Sequence, residues 1–159
     1  MNRQVDATWV FMPWEGLLGE RQGVKLRSFK LGDYGLEYGY SPVIAVRAGW
    51  LEDPANEAAL RSFLAASRKG YETALAGVEA AANHLINGAP GEKDLADRDF
   101  VRASQAAVSR HYTAHGLPWG TMDAGVWADF VQTLSRVDGS VQPAAVTLGA
   151  LFTNAYLPA

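Results

Sequence analysis

The sequence predicts an α/β fold, and three observations carry that reading. Residues 8–12, 24–29 and 43–47 are short runs rich in β-branched, aromatic and alternating apolar residues. A short helical stretch, Trp14 to Glu20, separates the first two runs. After Arg47, apolar residues recur at helical steps through at least three further stretches.

The first run, Thr8-Trp9-Val10-Phe11-Met12, stops at Pro13, whose nitrogen has no hydrogen to give a ladder. An indole and a carboxylate, Trp14 and Glu15, follow at once. A flat apolar face beside one acceptor, at a strand end, is how α/β proteins hold small polar ring compounds. Trp9, Phe11 and Trp14 are equally suited to a core, with Glu15 a solvated residue of a first helical turn. Residues alone leave both readings open.

Gly23 ends this helix, and Val24-Lys25-Leu26-Arg27-Ser28-Phe29 alternates at period two, the mark of a half-buried strand. Residues 31–40 form a glycine-punctuated loop carrying Tyr34, Tyr38 and Tyr40, which either present phenols to a ligand or pin the loop down. Pro42 then leads into Val43-Ile44-Ala45-Val46-Arg47, a run suited to a strand covered on both faces.

Asp53 followed by Pro54 is a helix start. Leu60, Phe63, Leu64, Tyr71, Leu75 and Val78 then form an apolar stripe, with Gly70 and Gly77 as candidate breaks. The pattern runs to Ile86 and closes at Asn87-Gly88-Ala89-Pro90-Gly91. A further helix is expected from near Asp97 past Tyr112, ending before Gly116. Asp123 heads the clearest stripe, Val126, Trp127, Phe130, Val131 and Leu134. Asp138-Gly139 makes a turn, and 146–152 is a short apolar element.

Composition bounds the function. The 159 residues make about one domain, and a net charge of −3 with scattered basic residues leaves no footprint for nucleic acid. No apolar run reaches the roughly 20 residues of a membrane span. The first residues carry no basic, apolar and small-residue signal pattern. Cysteine is absent, which removes disulfides, thiolate metal sites and a cysteine nucleophile. His111 and His115 are one helical turn apart, yet no third ligand stands near them, so no metal site is expected. There is no Gly-x-Ser-x-Gly elbow and no phosphate-binding glycine loop. Nothing in the chain is built to break bonds, and no catalytic residue is assigned.

Val5-Asp6-Ala7, the aromatic run after it and Trp14-Glu15-Gly16 together resemble the crossover strand of periplasmic solute-binding proteins of ABC importers. The likeness is to the thiamine pyrimidine synthase-like branch, which captures pyrimidine precursors of thiamine. Asp33-Tyr34-Gly35, Tyr38-x-Tyr40, Gly70-Tyr71, Trp119-Gly120-x-x-Asp123 with Trp127, and the tail from Phe152 to Pro158 agree in order and spacing. The resemblance spans nearly the whole chain.

It implies a type II periplasmic-binding-protein-like fold, two α/β lobes clamping a ligand, of which residues 1–159 would be a single partial domain, the C-terminal half. Glu15 would accept hydrogen bonds from an aminopyrimidine's exocyclic amine and ring N–H, with Trp14 beside it. Phe11 stands where a tyrosine is usual, and Tyr34 and Tyr38 would be further pocket residues. The related fungal enzymes use a cysteine-rich iron motif, so the absence of cysteine argues against an enzyme; no cofactor is expected.

The implied partners are a small-molecule ligand and, in a full-length protein, an ABC permease, in the periplasm or cell envelope. Riboflavin, nitrate and alkylsulfonate are competing ligands of the fold, but a carboxylate in the cleft would repel the anions. A different reading is a ligand-silent half that acts as an assembly unit. Three strands with several helices leave sheet edges bare, so the isolated chain is expected to form a homodimer through residues 8–12 or 43–47.

Overall fold

The computed structural model describes residues 5–36, 38–113 and 116–158. Among them are five α-helices and no β-strand: α1 Leu17–Arg21, α2 Pro54–Ala76, α3 Val78–Gly88, α4 Arg98–Ser109 and α5 Ala124–Val137. The expected α/β class, and the type II sheet it implied, is therefore corrected to an all-helical fold. Phe11 and Arg47 keep extended backbone angles, but none of the three β-prone runs gains a ladder. β-propensity measures fit to a pleated, half-buried surface, and that surface needs a neighbouring strand to exist. Met12, expected to end the first strand, instead opens a π-helical turn, Met12–Gly16.

The chain divides into two compact units. The first comprises Met1–Arg27 and Gly70–Gly116. Its core is the seam between α3 and α4, where Ala82, Ile86, Phe100 and Val101 are buried and Trp14, Leu17 and Leu95 pack against them. Ala82 is fully buried, so the two helices approach each other across a methyl group. Of the two candidate breaks, Gly70 lies inside α2, whereas Gly77 (φ −143, ψ 70) separates α2 from α3. Its N–H still donates to the Thr73 carbonyl and its carbonyl still accepts from Ala81, so the helical bonding continues across the kink.

Helix α4 starts where Asp97 predicts, the carboxylate accepting the Phe100 N–H at 2.9 Å. The same carboxylate takes the Arg21 guanidinium at 2.8 Å, tying α1 to the start of α4. The helix ends at Ser109 rather than past Tyr112. His111 and Tyr112 donate to carbonyls only three residues back, a tightened last turn, and the Ser109 hydroxyl donates to the Gln105 carbonyl at 2.7 Å.

The second unit comprises Ser28–Lys69 and Leu117–Ala159. Asp53 caps α2 by accepting the Ala55 N–H, and Leu60 and Leu64 are buried. Phe63, expected in the same stripe, is 56% exposed. Asp123 caps α5, accepting from Gly125 and Val126. On α5 the stripe expected from the sequence turns inward: Val131 is buried, and Trp127 stacks on Phe152 at 5.8 Å and meets Phe130 edge-on at 6.2 Å. The tail is fastened by polar contacts. Asn154 and Met122 exchange hydrogen bonds at 2.8 and 3.0 Å, and Arg61 donates to the Ala155 carbonyl while lying over the Tyr156 ring. The apolar element expected at 146–152 is a 3-10 turn, Leu148–Ala150, leading into Phe152.

Two expected outcomes follow from these packings. Trp127→Ala should lose about 2–4 kcal/mol, somewhat under the cost of a fully buried tryptophan, because the ring is only half-buried. Its buried Nε1–H has no hydrogen-bond partner among the described residues, so Trp127→Phe should cost clearly less. Denaturant titration compares the two; equal losses would show that the indole N–H carries no penalty. The second concerns acid. The Phe100 N–H holds the Asp97 carboxyl below its ordinary 3.8; desolvation opposes it, and the charge and hydrogen bond of Arg21 add to the lowering. A depressed carboxyl stabilises the fold above its unfolded value and stops doing so as pH falls through the folded one. Helical circular dichroism of the parent should therefore drop more steeply below pH 3.8 than that of Asp97→Asn, which keeps a cap but cannot titrate. Superimposable acid curves would rule Asp97 out as a contributor.

Candidate functional site

The turn Met12–Gly16 is built by one carbonyl. Phe11 accepts the Trp14 N–H at 2.9 Å and the Gly16 N–H at 3.2 Å, and Pro13 loses nothing there because its missing N–H would have had no helical partner. Glu15 then reaches back, its Oε2 accepting the Phe11 N–H at 2.9 Å. This is the reciprocal logic of a capping box, shifted by one residue in the wider π turn. The side chain of Glu15 remains exposed.

Trp14 is half-buried and its orientation is fixed from α4: the indole meets Phe100 edge-on at 4.7 Å and 68°. Arg21 lies over the same Phe100 ring at 5.9 Å while paired with Asp97. The turn thus carries an indole packed against the α3–α4 core and, on the next residue, an exposed carboxylate. Just before it, Phe11 is 63% exposed and meets the equally open Trp9 edge-on at 6.4 Å. Phe11, Trp14 and Glu15 all belong to the first unit.

Tyr34 and Tyr38 belong to the second unit. Tyr34 is exposed at the end of the 3-10 turn Leu31–Tyr34, its ring against Phe29 at 6.2 Å. Tyr38 leans edge-on against Phe130 at 6.2 Å and lines an open groove of ≈ 560 Å³. Leu31, Leu36, Tyr40, Phe130, Leu134 and Val137 complete its apolar walls, with hydroxyls from Ser41 and Thr133. Tyr40 has a structural duty, its hydroxyl oxygen accepting the Asp123 N–H at 2.8 Å and steadying the start of α5. Gly39 (φ +73) sits where a Cβ would come within 3.0 Å of the Phe130 ring, so glycine allows the two tyrosines to flank it.

Sequence reasoning missed this groove because its α5 wall, Phe130 and Leu134, reads as core. The period-two spacing of Tyr38 and Tyr40 opposite a helix stripe is the signal that could have found it. Among the described residues no charged side chain lines it. Glu15 is a different kind of site, able to accept from N–H donors.

The described residues contain no group of three His, Cys, Asp or Glu able to hold a metal ion. His84 and His111 are exposed, and His115 lies outside the described residues. No helix among them is long and apolar enough to cross a membrane.

The family described as NMT1/THI5-like matches residues 1–81, half of the chain, and all five candidate residues fall inside that span. No curated protein matches the chain. With the aromatic run, the Trp14–Glu15 turn and both loop tyrosines inside the matched span, the chain belongs to the NMT1/THI5-like family, a family of solute-binding proteins.

Proposed function

We propose that the chain is the substrate-binding component of an ABC importer, or a part of one, and takes a small planar nitrogen heterocycle. The ligand favoured is an aminopyrimidine precursor of thiamine. The single observation that supports this is the family match over 1–81, which contains the turn where an exposed carboxylate stands beside a held indole. In this reading Trp14 offers a flat apolar face and Glu15 accepts from the exocyclic amine and a ring N–H. Phe11 supplies a stacking ring without a hydroxyl. The protein binds and performs no chemistry on its ligand, and it would work in the periplasm or cell envelope with a permease as its partner. A negative acceptor favours an amine-bearing ligand over nitrate or an alkylsulfonate.

Glu15→Gln tests the assignment cleanly, since the amide oxygen can still accept the Phe11 N–H and keep the turn. Affinity for a 4-aminopyrimidine should fall by about 1.5–3 kcal/mol, roughly 10- to 150-fold. Isothermal titration calorimetry on parent and variant provides the comparison. Equal affinities remove Glu15 from the site, and absence of binding by the parent removes the ligand class.

A further inference from the structure

The last described residues of the second unit are arranged as a peptide seated on a surface. Among the described residues, the hydrogen bonds of 139–151 run only within 138–151, and most of this stretch is exposed. From Phe152 onward the contacts reach residues far away in the chain. Phe152 lies flat on Trp127, the two planes 13° apart. Arg61 and Arg68, two turns apart and so on one face of α2, donate to the Ala155 and Pro158 carbonyls at 2.7 and 3.2 Å.

Each contact reads a different feature of the segment. The Asn154 carboxamide pairs with both the N–H and the carbonyl of Met122, which needs a side chain with one donor and one acceptor. Arg61 covers the Tyr156 ring at 5.0 Å, and Glu57, one turn back on α2, already orients its guanidinium. Gly120 (φ +84) leaves room for Leu157, since a Cβ there would come to 3.0 Å from Cδ2 of Leu157. The segment also carries its own turn, the Leu157 N–H donating to the Asn154 carbonyl at 3.1 Å. Yet none of residues 152–158 is buried. Hydrogen bonds open to water contribute little each, so several weak contacts hold the segment together. Segments held in this way open without unfolding the rest of a protein.

We propose that Phe152–Pro158 is a reversible strap, an internal peptide ligand that leaves and rejoins this face as one piece while α2 and α5 stay folded. The face formed by Arg61, Arg68, Met122 and Trp127 is then a peptide-binding site, and a free peptide of the same residues fits it. Docked, the strap covers the Trp127 ring; released, it uncovers that ring and frees the two guanidinium groups from its carbonyls. The tether of 139–151 keeps the strap at an effective concentration on the order of millimolar, so weak contacts suffice to keep it docked. The strap lies wholly in the second unit and needs no ligand, so it stands apart from the proposed function.

Fluorescence anisotropy with a labelled peptide of residues 152–158 is the test, on the full chain throughout. Phe152→Ala and Asn154→Ala together loosen the chain's own strap, so this double variant should bind the peptide at least tenfold tighter than the parent, whose strap competes. Adding Arg61→Ala to the double variant should remove that gain. Amide exchange of the parent gives a readout that needs no variant. The Met122 and Leu157 amides should exchange together, at least tenfold faster than Val131 and Leu134 in the middle of α5. A double variant that binds no peptide, equal affinities for parent and double variant, or binding that survives Arg61→Ala would each overturn the proposal. So would Met122 and Leu157 amides that exchange only at the rate of α5, since the strap would then leave only on unfolding.

Discussion

Every backbone N–H and C=O has to find a partner or face water, and that requirement sorts the whole chain. Helices meet it within a single segment, so α2, α4 and α5 form where a stripe and a capping aspartate coincide, and α3 continues from α2 across Gly77. Strands meet it only through a neighbour, and the β-prone runs find none among the described residues. The turn at Trp14 obeys the same rule on a small scale. The Phe11 carbonyl takes two N–H groups, and the Glu15 carboxylate satisfies the N–H of Phe11 itself. The residues that would define a binding site are therefore also the residues that close a local hydrogen-bond circuit.

This explains which parts of the fold were legible. Helix starts depend on groups two or three residues away, so Asp53, Asp97 and Asp123 could be read as caps and are caps. Helix ends depend on more. At Ser109 a hydroxyl bonded to the Gln105 carbonyl and a tightening of the last turn stop α4, although the apolar pattern continues to Tyr112. The glycine break was readable only as a pair of candidates, since backbone angles rather than composition distinguish Gly77 from Gly70. Strand signals in 8–12, 24–29 and 43–47 describe side chains suited to a sheet, and the presence of the sheet is not a local property.

The candidate site divides in the same way. That Trp14 and Glu15 stand together is visible in the sequence, because they are adjacent. What holds Trp14 is not visible: Phe100 reaches it from α4, far along the chain and under a different helical pattern. The loop tyrosines show the opposite case. Tyr40 serves the start of α5 and Tyr38 shares Phe130 with a groove. A side chain on an α5 stripe that reads as core can be one wall of an open cleft, since burial in a stripe is a matter of what the opposite wall leaves uncovered.

The remaining step concerns what an exposed carboxylate can recognise. An ionised Glu15 has about four lone-pair positions, and the Phe11 N–H occupies one of them. Enough remain for the two adjacent N–H donors on the edge of an aminopyrimidine, so capping the turn and binding such an edge are compatible. In open water those bonds merely replace bonds to solvent and contribute little net affinity. They become selective only when water is excluded, where a mismatched ligand would leave the carboxylate unpaired at a cost. Phe100 holds the Trp14 ring in place against the core. Phe11, 63% exposed and one turn away, is the side chain best placed to join it once a ligand supplies the second face. Selectivity at this turn thus needs both the carboxylate and a ligand-closed surface that keeps water from it.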